Sequence, residues 1–69
     1  MTQKELNYVE DAIGHEQNII KILEFTKSNI QNENLKTFID SEYNIHISMK
    51  EYLLNMLEGK INEWWTING

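Results

Sequence analysis

Residues 35–57 read LKTFIDSEYNIHISMKEYLLNML, and their apolar positions recur with the period of an α-helix. At about 100° per residue, Leu35, Phe38, Ile39, Ile45, Met49, Leu53, Met56 and Leu57 fall on one stripe. Glu42 lies near the centre of that stripe, and His46 lies about 40° to one side, still within it. Ionisable groups on an apolar face are costly to bury unless they are paired or bound to a metal. This stretch therefore decides the fold class and also holds the residues with the most chemistry.

Upstream, the polar run Ser28-Asn29-Ile30-Gln31-Asn32 reads as a turn, with Asn32 as the N-cap of the helix that follows. Before it lies a second helical pattern, with Leu6, Val9, Ala12, Ile13, Ile19, Ile20 and Leu23 on one stripe and Glu16 near its centre. Thr2-Gln3-Lys4-Glu5 has the form of a capping box that starts this helix. No proline interrupts either pattern, and Gly59 is placed to cap the second. The expected organisation is a single domain: helix 3–28, turn 29–32, helix 33–58 and tail 59–69.

Two helices of similar length joined by a short turn fold back as an antiparallel hairpin. Facing residues then have numbers summing to about 61, which sets Glu16 level with Ile45 and His46 and puts Glu42 about one turn away. Three polar residues thus converge mid-way along both helices. The second helix also carries another apolar line, Tyr43, Ile47, Leu54, Ile61 and Trp65, roughly 100–120° from the first. Ile22 and Phe25 add apolar surface to a second side of helix one. A lone hairpin cannot bury both faces. The expected fold is therefore an all-α two-helix antiparallel hairpin dimerising into a four-helix bundle, with Tyr43, Ile47, Leu54, Ile61 and Trp65 as the dimer interface.

Composition narrows the function. A chain of 69 residues without cysteine has no disulfide to compensate for a small core and no thiol for catalysis or metal binding. The net charge is −5, and all six basic residues are lysines. An acidic chain lacking arginine is poorly suited to nucleic acid, where phosphate contacts dominate affinity. No apolar run approaches the roughly 18 residues of a membrane span, and the polar start, Met1 to Glu5, lacks a signal-peptide core. The expectation is a cytoplasmic protein that partners itself, or another protein, rather than nucleic acid or membrane.

Glu16 on one helix and Glu42 with His46 on the other resemble one half of a ferritin-like di-iron bundle, in which one helix of each pair gives a Glu and the other a Glu-x-x-His. The run Leu35 to His46 followed by Met49 and Met56, and Asp11-Ala12-Ile13-Gly14-His15-Glu16-Gln17 in helix one, are similar in texture to small spore coat protein F-type proteins. The resemblance implies that two copies would bring four Glu and two His together around metal. It departs in one respect: Glu42 and His46 are spaced i,i+4, where the family uses i,i+3.

Three readings of Glu16, Glu42 and His46 stand at this point. They form a polar layer that sets helix register, or ligands for iron, manganese or zinc, or a set of side chains facing water. Asp11 and His15, on a flank, read as a solvated pair; Met49 and Met56 read as core filler; Trp64 and Trp65 read as closure of the bundle end or an anchor for a partner. Ser28, Ser41 and Ser48 show no nucleophilic arrangement, and the Ser-x-x-x-Asp motif of short two-helix phosphatases is not met at Ser41, where Ile45 stands in the acidic position. No cofactor is expected. The function expected is a structural or interaction role through homodimeric bundle formation, with a ferritin-like di-metal carboxylate protein, handling iron or manganese or acting as an oxidase, as the alternative.

Overall fold

The computed structural model describes residues 1–59 and contains two α-helices, α1 over Gln3–Asn29 and α2 over Glu33–Leu57. Among the described residues there is no strand. Ile61, Trp64 and Trp65, named above for the interface and the bundle end, lie outside the described residues.

Both helices begin on local side-chain caps. The Thr2 hydroxyl accepts from the Glu5 amide at 3.1 Å, and the Glu5 carboxylate accepts from the Thr2 amide at 2.8 Å, so two helix-end donors are satisfied reciprocally. The Thr2 amide, helped by the Thr2 hydroxyl, holds the Glu5 carboxyl below its ordinary pKa. A lowered folded-state pKa means that this cap is at full strength above the ordinary carboxylate range and is lost as pH falls through Glu5's own value. Thr2→Ala is expected to cost about 1 kcal/mol of helix stability. Urea unfolding followed by circular dichroism checks this, and an unchanged midpoint would discount the cap.

The chain leaves α1 through Ile30 in extended conformation, and the Phe25 carbonyl accepts from both the Ser28 hydroxyl and the Asn29 side-chain amide, at 2.8 and 2.7 Å. Asn32 then starts α2, its side-chain oxygen accepting from the Leu35 amide at 3.0 Å. At the far end of α2 the Gly59 amide bonds the Met56 carbonyl, with Gly59 at φ +73°, the left-handed conformation that glycine adopts without strain.

The helices lie antiparallel in a layer with extents of 51 × 19 × 12 Å, too thin for a second tier of helices at the usual 8–10 Å spacing. Among the described residues only Ile13, Glu16 and Ile20, all on α1, are buried.

The seam between the helices repeats at alternating three- and four-residue steps. On α1 it runs through Leu6, Val9, Ile13, Glu16, Ile20 and Leu23; on α2 it runs through Ile39, Tyr43, His46, Lys50, Leu53 and Leu57. Such 3–4 spacing is that of knobs-into-holes packing. Here the rotation of α2 differs from the sequence expectation. Tyr43, Ile47 and Leu54, expected to face a second copy, are half-buried, and Tyr43 lines a groove with Leu23 and Lys27 of α1. Leu35, Phe38, Ile45 and Met49, expected against α1, are exposed, Phe38 by 58%. Two cross-helix contacts accompany this rotation: His46 on Glu16, and Lys27 on Asp40 at 2.5 Å.

Most of the exposed apolar residues share one side of the layer; Phe25, 70% exposed, is the exception and lies on the side of Asn7, five turns away on α1. On α1 the line beside the seam is Tyr8, Ala12, His15, Ile19 and Ile22; on α2 it is Leu35, Phe38, Glu42, Ile45, Met49, Tyr52 and Met56. Each line is rotated about 105° from its seam in the same sense along its own helix. Antiparallel helices are related by an approximate two-fold axis normal to the layer, so equal turns end on the same side. The opposite side carries Asn7, Glu10, Gln17 and Lys21 on α1 and Glu33 and Glu51 on α2, all exposed. The first side is thus the richer in exposed apolar groups, while Phe25, Ile47 and Leu54 lie towards the second.

Candidate functional site

Glu16 is the buried polar residue among the described residues, at 7% exposure. It occupies a seam position of α1, with Ile13 and Ile20 one turn to either side. Its carboxylate meets the His46 ring at 2.5 Å, Nδ1 to Oε2, and His46 is a seam position of α2 thirty residues away. The other ring nitrogen, Nε2, lies 3.8 Å from Glu42, one turn back on the same helix. No buried side-chain polar atom among the described residues lacks a partner.

The arrangement places the two carboxylates on opposite edges of one imidazole. That geometry orients the ring and satisfies the buried carboxylate. Ligands of one metal must instead converge on a point, with each ring nitrogen serving at most one ion. Within one hairpin Glu16, His46 and Glu42 do not converge in this way, and among the described residues no group of three or more such side chains gathers around a common centre.

Asp11 and His15 are exposed, and no ion pair joins them. His15 sits instead at the middle of the apolar line of α1. Met49 is exposed and Met56 half-buried on the apolar face, so neither fills the seam between α1 and α2. The hydroxyls of Ser28 and Ser41 donate to helix carbonyls of Phe25 and Thr37. No serine is engaged by the imidazole.

One feature was not legible beforehand. Near the turn, on the polar side, an open groove of about 520 Å³ is floored by Leu23, Ile39 and Tyr43 and edged by Lys27, Lys36 and Asp40. Lys27 is bonded to Asp40 with both side chains about half-exposed, the setting in which an ion pair contributes about 0.2–1 kcal/mol. The opposite charges at Lys27 and Asp40 were visible in the sequence. They sit away from the simple register, and only the reach of the lysine connects them.

No family model matches this chain, no curated protein matches it, and no solved structure matches it. The described helices are not long and apolar enough to cross a membrane.

Proposed function

We propose that this protein is a self-assembling interaction module: a helical hairpin whose apolar face is covered by a second copy, giving a four-helix bundle. The observation that carries the reading is the concentration of exposed apolar side chains on one side of the layer. Tyr8, Ile19, Ile22, Phe38, Ile45, Met49 and Tyr52 lie on one face of a structure one helix thick, and large contiguous apolar surface of this kind marks an interaction site. A face about 37 Å long, the span of α2, and 19 Å wide offers roughly 700 Å², close to the ~800 Å² per partner of a standard stable interface. In this reading Glu16 and His46 form a polar layer that sets the register of the two helices, as buried polar pairs can.

Native mass spectrometry of protein purified without chelator or affinity metal tests the proposal. A metal-free dimer is the expected result. A dimer with stoichiometric metal, lost on Glu16→Ala or His46→Ala, would move the function to the ferritin-like alternative. A monomer at micromolar concentration would assign the apolar face to a different protein.

A further inference from the structure

Glu42 is the charged member of the apolar line of α2. Phe38 lies a turn before it, Ile45 a turn after it and Met49 two turns after it, and all three are exposed. Within the hairpin its carboxylate meets His46 Nε2 at 3.8 Å, longer than an ordinary hydrogen bond. An ionised carboxylate has about four acceptor sites. The side chain is 35% exposed, so in the single hairpin water reaches the sites that His46 does not serve.

A second copy on this face takes that water away, an inference that rests on the homodimer reading above. A packed helix is 10–12 Å wide with its side chains, so a copy that covers Phe38, Ile45 and Met49 also covers the carboxylate between them. This holds whether α2 meets α1 or α2 of the other copy, because Glu42 is interior to its line in either case. The incoming face is the same face. Its lines carry apolar side chains, Thr26, His15 and another Glu42, and no lysine stands in either line. Assembly thus exchanges water for mostly apolar surroundings at a charged group, and brings two such groups of like charge into one interface.

We propose that Glu42 limits the strength of self-association, making the dimer weaker and more readily reversible than its apolar area alone would give. In the single hairpin the open side of Glu42 stays hydrated, so the cost arises only on assembly. Glu42 therefore acts on the contact between copies and not on the contact between α1 and α2.

Sedimentation equilibrium of the full chain tests this. Glu42→Leu is expected to lower the dimer dissociation constant by about tenfold or more, since two buried carboxylates are removed from each dimer. Glu42→Gln should fall between Glu42→Leu and the wild type. Glu51→Gln is the control: it removes the same charge from an exposed position on the opposite side of the layer, and its dissociation constant should stay close to that of the wild type. The comparison of Glu42→Gln with Glu51→Gln decides the question should Glu42→Leu change the helix content read by circular dichroism. A folded Glu42→Leu dimer no tighter than the wild type overturns the proposal and leaves dimerisation intact; a weaker one would show the carboxylate paired across the interface. Equal tightening by Glu42→Gln and Glu51→Gln also overturns it, because relief of net charge would then be the cause. Wild type and variants that are all monomeric overturn the homodimer reading as well.

Discussion

Ile45→Lys is expected to convert the protein to a monomer at concentrations where the wild type is a dimer. Ile45 is 51% exposed in the single hairpin, in the middle of the apolar face and away from the seam with α1. The substitution should therefore leave the hairpin's own contacts in place. In the proposed bundle it puts an ammonium group from each copy into the apolar interface, where each loses water. The expected weakening is at least 100-fold, or about 2.7 kcal/mol. Sedimentation equilibrium reads it directly. Asn44→Lys, one residue away at an exposed position towards the polar side, supplies the control, and its self-association should match the wild type. Equal dissociation constants for the two variants would remove the apolar face from the interface.

The second large effect lies in the seam. His46→Ala leaves the Glu16 carboxylate buried without its partner, and breaking a buried pair from one side costs about 3–5 kcal/mol. A single-layer hairpin with three buried residues has little reserve against such a loss. The expected outcome is loss of cooperative unfolding at temperatures where the wild type is folded. His46→Gln keeps an N–H that can reach Glu16 and should retain most of the stability. The double change Glu16→Leu with His46→Leu removes both polar groups and should fall between neutral and about 4 kcal/mol more stable. A double-mutant cycle on thermal unfolding measures the coupling. If the single and double variants lose stability additively, the two side chains do not act as a pair.

These expectations differ in what they depend on. The Glu16–His46 pair stands within one hairpin and survives whatever covers the apolar face. The Ile45 result depends on the partner. A protein that fails the first and passes the second would be a hairpin that docks elsewhere, its polar layer still setting the helix register.

The two helices and their starts were legible in the sequence because their causes are local. Thr2 caps an amide three residues away, Asn32 does the same, and the 3.6-residue period is a property of each helix alone. The meeting of Glu16 with His46 was legible too, since a short turn fixes which heights face each other. The rotation of α2 about its axis was not. Its sequence offers two apolar lines roughly 100° apart, and both satisfy a rule that apolar residues turn inward. The Leu35–Phe38–Ile45–Met49 line is the more apolar, so pattern alone assigned it to α1 and left Tyr43, Ile47 and Leu54 for a partner. In the tertiary structure Tyr43 lines a groove with Leu23 and Lys27; Leu35, Phe38, Ile45 and Met49 are exposed; and an imidazole reaches a carboxylate thirty positions away. Burial of apolar area is nondirectional and would accept either line, whereas hydrogen-bonded and charged pairs have fixed geometry and accept one.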